Sequence, residues 1–147
     1  MELKLIELTK KNDVFKIYEI YKHCMFMPTE EKFNKKIDVF LMDKAVKIFA
    51  CFSRGKSVGV IVVSFYEQSK IEIIGISVEV KARREGIGSF MLNQVINDYG
   101  IISVYAETDI DAVAFYQSNG FLVTEFSQTY EGEIAVRYKC ELNRVID

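Results

Sequence analysis

Between Val78 and Met91 the chain changes its hydrophobic period, and this change constrains the fold more than any other feature of the sequence. Upstream lie three runs rich in β-branched and aromatic residues, roughly Val46 to Phe52, Val58 to Tyr66 and Ile71 to Val78. The polar segments Ser53-Arg54-Gly55-Lys56 and Glu67-Gln68-Ser69-Lys70 separate them, which predicts an antiparallel meander. Downstream of Gly88, Met91, Val95 and Tyr99 recur at helical spacing with Leu92 and Ile96 beside them, and Gly100 supplies a stop. A further strand, Ile101 to Ala106, follows. Asp109 is then placed to cap a helix carrying Ala112, Val113 and Tyr116, ended by Gly120, before closing strands Phe121 to Phe126 and Ile134 to Cys140.

The first part of the chain reads as a strand, Leu3 to Leu8, and two helices. Asp13 caps the first, whose face is Val14, Tyr18 and Tyr21 with Phe15, Ile17 and Ile20 flanking. Pro28-Thr29 starts the second, which runs over Phe33, Ile37 and Phe40 to about Met42. The string predicts an α/β (α+β) fold: a mixed sheet of about seven strands with helices on both faces.

At 147 residues, without repeats or low-complexity segments, the chain reads as one domain, 1–147. Half of its residues are apolar and 13% aromatic, which excludes an intrinsically disordered chain. Nineteen basic and 21 acidic side chains leave a net charge of -2, so no global positive field holds nucleic acid or an anionic membrane. The run Val58 to Tyr66 is about half a membrane helix, and the amino end, with Glu2, Lys4 and Glu7, lacks a secretion signal's apolar region. A cytoplasmic protein is expected. Cys24, Cys51 and Cys140 have the spacing of neither a disulfide framework nor a metal site. His23 beside Cys24 reads as a helix-end pair rather than a catalytic dyad, since sequence neighbours rarely face each other.

Arg83-Arg84-Glu85-Gly86-Ile87-Gly88-Ser89 lies between the predicted strand and the predicted helix, where unpaired N–H groups and the helix dipole favour an anion. Gly86 and Gly88 leave the backbone open to a phosphate, Arg83 and Arg84 add charge, and Ser89 adds a hydroxyl. A P-loop is excluded because no Gly-Lys-Ser/Thr closes the segment. A dinucleotide fingerprint is excluded because Met91 replaces its third glycine. Alone, the pattern also fits a plain tight turn with solvated arginines.

Val78 to Ser89 resembles the acyl-CoA signature Arg/Gln-x-x-Gly-x-Gly/Ala of the GNAT N-acetyltransferase superfamily, matching at Arg83, Gly86 and Gly88. Asp109 to Phe121 resembles that family's Asn-x-x-Ala-x-x-x-Tyr-x-x-x-Gly-Phe element, matching at Ala112, Tyr116, Gly120 and Phe121, with Asp109 in place of asparagine. The resemblance implies a splayed GNAT-like sheet in which Ile71 to Val78 diverges from Ile101 to Ala106. Backbone of Ile76 and Val78 would pair with pantetheine, and Arg83, Arg84, Glu85, Gly86, Ile87, Gly88 and Ser89 would hold the pyrophosphate of acetyl-CoA. Its implied chemistry is direct attack of a primary amine on the thioester in a ternary complex, without a metal. The Val78 N–H would steady the oxyanion and Tyr116 would donate to the departing sulfur.

Glu72, 11 residues before Arg83, resembles the glutamate base of the histone-acetylating branch; Glu79 and Glu107 are alternatives, and all three also read as solvated strand carboxylates. Met25, Phe26, Met27 and Phe33 fit either an acceptor pocket or core, and Tyr130-Glu131-Gly132-Glu133 reads as a hairpin turn. An acyl-CoA sensor without turnover and a nucleotide switch are the other classes weighed; the latter lacks a phosphate lysine. The acceptor's class stays open among small amines, amino acids, antibiotics and protein N-termini, and a homodimer is allowed.

Overall fold

A computed structural model describes residues 2–144. Seven strands form one sheet: β1 (Leu3–Leu8), β2 (Val46–Ser53), β3 (Lys56–Glu67), β4 (Lys70–Val78), β5 (Ser103–Thr108), β6 (Leu122–Tyr130) and β7 (Glu133–Asn143). Their order is β1-β2-β3-β4-β5-β7-β6. Only β4 and β5 run parallel; the remaining neighbours pair antiparallel. The mixed sheet therefore has the expected architecture, with strand ends displaced by one to a few residues.

The near-continuous apolar runs of β2 and β3 follow from burial on both faces. Ile48, Ala50, Val60 and Val62 face α1 (Lys11–Phe15), α2 (Tyr18–Tyr21) and α3 (Glu30–Met42). Phe49, Cys51, Ile61 and Val63 face the opposite side, where α4 (Ile87–Tyr99) and α5 (Val113–Ser118) contribute Met91, Leu92, Val95 and Tyr116. Helix α3 starts where predicted, with the Thr29 hydroxyl accepting from the Lys32 N–H at 3.1 Å.

Three local expectations change. The helix expected from Asp13 to Tyr21 is two short helices broken at Ile17 and followed by a 3₁₀ turn, Lys22–Cys24. Asp13 lies in the first turn of α1 rather than at its cap. The segment is rich in β-branched and aromatic residues of modest helix propensity, and burial of Val14, Ile17, Ile20 and Tyr21 decides its course. Ile101 lies in the turn that closes α4 after Gly100, its N–H donating to Ile96 O at 3.0 Å, and β5 begins at Ser103. Asp109 caps a turn before α5: its Oδ1 accepts from the N–H groups of Asp111 and Ala112 at 3.1 and 3.2 Å. Among the described residues no helix is long and apolar enough to cross a membrane.

Candidate active site

The site begins with a β-bulge. Val62 pairs with Gly75 but Val63 pairs with Ile73, so Ile74 is an extra residue in β4. Below the bulge, β4 and β5 pair from Lys70↔Ser103 to Ile73↔Ala106. Beyond it β4 runs on to Val78 and β5 to Thr108 without pairing to each other, and a cleft of about 690 Å³ opens between them.

Backbone polarity in this gap follows from the β3–β4 register. Glu79 N–H donates to Val58 O at 2.8 Å, so Val58/Glu79 and, two residues back, Val60/Ser77 are hydrogen-bonded pairs. Ile76 and Val78 alternate with them, and their N–H and C=O groups face away from β3 into the gap. The Val78 carbonyl accepts from Arg83 Nε at 3.0 Å.

The chain leaves β4 through a 3₁₀ turn, Val80–Ala82, capped by the Glu79 carboxylate, which accepts from Lys81 N–H at 2.9 Å. Glu79 is thereby committed to this turn. Arg84 (φ +68°) and Gly86 (φ +79°) occupy left-handed backbone, and Gly86 caps α4. The first N–H groups of α4 lack intrahelical partners, and Gly86 to Ser89 line the cleft with Arg83 and Arg84. Glu85 is exposed and stands outside this lining.

The two glycines have different reasons. A Cβ on Gly86 would meet nothing within 4 Å, so its positive φ is the constraint. A Cβ on Gly88 would lie 2.8 Å from Phe115 Cε1. Gly88 thus admits the Phe115 ring of α5, in addition to any phosphate approach expected of it.

Tyr116 lines the far wall, 4% exposed, between Phe115 and Phe121, with ring centroids 5.2 and 5.1 Å away. Its hydroxyl makes no hydrogen bond among the described residues. Burial, with smaller contributions from Cys140 and Cys24, pushes its phenol above the ordinary range, so the group keeps its proton.

Of the three carboxylates considered as bases, Glu107 lines the cleft and accepts from the Tyr105 hydroxyl at 2.6 Å. Glu72 sits one rung below the bulge, paired with Ser64 and Tyr105 and outside the cleft lining. Burial first, then the charge of Glu107, raises its pKa. His23 and Cys24 both line the cleft, but the Cys24 thiol donates to Tyr21 O at 3.0 Å rather than to His23. Burial pushes that thiol up to about 12, against a smaller lowering by hydrogen bonding. Phe33 is core, packed on Tyr18 and Tyr21, while Phe26 and Met27 are exposed; none of Met25, Phe26, Met27 or Phe33 lines the cleft. Glu131 (φ +48°) and Gly132 (φ +83°) form the β6–β7 hairpin turn, with Glu131 and Glu133 exposed.

Sequence reasoning missed Phe115 and Thr108 at the cleft, and also Arg137 of β7. No local pattern marks Arg137: it is one polar position in an alternating strand, and only strand order brings it to the gap.

Residues 14–121 match the model described as "Acetyltransferase (GNAT) family". A comparison with curated protein sequences finds no match. Among solved structures, ribosomal-protein-S18-alanine N-acetyltransferase from Escherichia coli is similar with a TM-score of 0.73 and 17% identity, over 99% of this chain and 96% of that one. A GNAT family acetyltransferase from Elizabethkingia anophelis with acetyl-CoA bound gives 0.70 and 16%, over 96% and 97%. A spermidine N-acetyltransferase chimera that includes the Vibrio cholerae enzyme gives 0.74 and 14%, over 97% and 96%. At these identities the structures speak to the fold alone.

Proposed function

The chain belongs to the acetyltransferase (GNAT) family, and from that premise we propose that it moves an acetyl group from acetyl-CoA to a primary amine by direct attack within the β4/β5 gap. One observation carries the reading: the backbone of Ile76 and Val78, outside the β4–β5 ladder, faces a cleft that also holds an anion-ready helix start and a protonated, unengaged Tyr116 hydroxyl. A thioester ligand supplies the acetyl group and a sulfur leaving group.

The residues present fit such a ligand. Arg84 and the N–H groups of Gly86 to Ser89 bind its pyrophosphate, and Ile76 and Val78 offer strand-like pairing to its pantetheine arm. An N–H in the gap steadies the charge that builds on the carbonyl oxygen, a preorganised donor needing no rearrangement. Tyr116 gives a hydrogen bond, and then a proton, to the sulfur as the C–S bond breaks. The new C–N bond forms as the amine loses its proton toward Glu107, directly or through water. Glu107 is the better-placed of the weighed carboxylates, because it borders the gap while Glu72 lies below it. Holding both reactants in one cleft accounts for much of the rate.

The test is acetyl-CoA-dependent thiol release against mixed amine libraries. Turnover that yields an acetylated amine supports the proposal. Tight acetyl-CoA binding with silence across all amine classes instead identifies a sensor of the same fold.

A further inference from the structure

The Arg137 side chain has no role in the scheme above, yet it reaches the cleft. Its Nε is enclosed and lacks a hydrogen-bond partner, and it is the one such buried side-chain atom among the described residues. Nor does Arg137 form an ion pair with any described carboxylate. Arg137 is only partly buried, but an enclosed Nε–H without an acceptor carries a cost, and a ligand carboxylate offers the matching planar fork.

The position of Arg137 says which ligand it meets. Cys140 and Tyr138 of β7 pack toward the α4 side of the sheet, so strand alternation sends Arg137 and Lys139 to the opposite face. The loop that starts α4 stands on the first side. A thioester arm entering from there fills that mouth of the gap, and the acceptor must arrive at the other mouth, where Arg137 stands. The last β5–β7 pair is Thr108↔Tyr138, so Arg137 lies just beyond the covered part of β7. Glu107 pairs with Lys139, which makes Arg137 its diagonal neighbour on the same face, on the order of 7–8 Å away between strands. Glu107 is held in place by the Tyr105 hydroxyl. Arg137 and the Glu107 carboxylate thus bracket the far mouth at a span suited to a small zwitterion, while Asp109, also at the cleft, has its Oδ1 taken by the N–H groups of Asp111 and Ala112.

We infer that Arg137 binds a carboxylate of the acceptor while Glu107 faces its ammonium, so that the substrate class is amines bearing a nearby carboxylate, free α-amino acids first. The inference rests on the acetyltransferase reading and narrows its acceptor.

The test compares thiol release by the unmodified enzyme with common amino acids, their amides, their decarboxylated amines and spermidine. Amino acids are expected to surpass their decarboxylated counterparts in kcat/KM by about tenfold or more. Arg137→Gln should raise the KM for the amino acid by a similar factor and leave the acetyl-CoA Kd, measured by calorimetry, unchanged. Arg137→Lys should recover part of the loss. Preference for spermidine or decarboxylated amines overturns this inference while keeping the transferase, as does an Arg137→Gln enzyme with unaltered amino-acid kinetics. Absence of turnover in every set overturns this inference, while the transferase reading stands or falls with the wider amine screen.

Discussion

Replacing Gly88 by alanine probes the contact that ties the phosphate-side loop to the reaction wall. The added Cβ would stand 2.8 Å from Phe115 Cε1 and 3.3 Å from Cζ, well inside ordinary van der Waals separation. The ring cannot give way freely, because it packs edge-on against Tyr116, which packs in turn against Phe121. Overpacking of this kind costs about 1–3 kcal/mol. For a chain of this size each kcal/mol lowers Tm by roughly 2–4 °C, so a drop of roughly 2–12 °C is expected. Trimming the ring in Phe115→Leu removes the clashing edge, and the double variant Gly88→Ala/Phe115→Leu should be more stable than the sum of the single changes by at least about 0.5 kcal/mol. Thermal unfolding of the four proteins by circular dichroism measures this coupling. Additive changes, or a Gly88→Ala protein as stable as the parent, would refute the packing argument and return Gly88 to a role in phosphate approach alone.

Other outcomes follow from the same geometry. Tyr116→Phe should lower kcat by about tenfold to a thousandfold with acetyl-CoA affinity intact, because a buried phenol kept protonated serves as donor; steady-state kinetics with the acceptor found by the amine screen checks this. Glu72 has its pKa raised by burial and by Glu107, so its ionised form is disfavoured in the folded chain. The stability this linkage contributes is present in acid and lost as pH rises through the raised pKa. Glu72→Gln should therefore unfold at a higher temperature than the parent at pH 7, with the difference shrinking below the ordinary carboxylate range, as thermal melts across pH show. Cys24 is exposed at the cleft, but its thiol donates to Tyr21 O and its pKa is raised, so it should react with a disulfide reagent more slowly than free cysteine at pH 8, and the rate should fall further with acetyl-CoA present.

The architecture was legible where local chemistry and tertiary demand agree. Thr29, Gly100 and the polar turns mark their element ends because capping and left-handed backbone are chemically specific. The change of period at Gly88 identifies the strand-to-helix turn for the same reason. What stayed hidden depends on register. The extra residue Ile74 leaves no trace in composition, yet it parts β4 from β5 and decides that Glu72 falls below the gap. The first helix broke at Ile17 because core burial outweighed a periodicity that suits one longer helix. Gly88 looked like a backbone opening for phosphate, and its contact with Phe115, 27 residues away, is invisible in either local motif. Arg137 needed the whole strand order, since β7 inserts between β5 and β6.

The measurement that bears most directly on the central claim is amide hydrogen exchange at single residues of β4 with and without saturating acetyl-CoA. The N–H groups of Ile76 and Val78 face the gap, whereas Ser77 already pairs with Val60 of β3. If an acyl-CoA arm pairs with the splayed strand, exchange at Ile76 or Val78 slows on binding while Ser77 changes little. Unchanged exchange at both Ile76 and Val78 in a protein saturated with acetyl-CoA would contradict the account and place the ligand elsewhere.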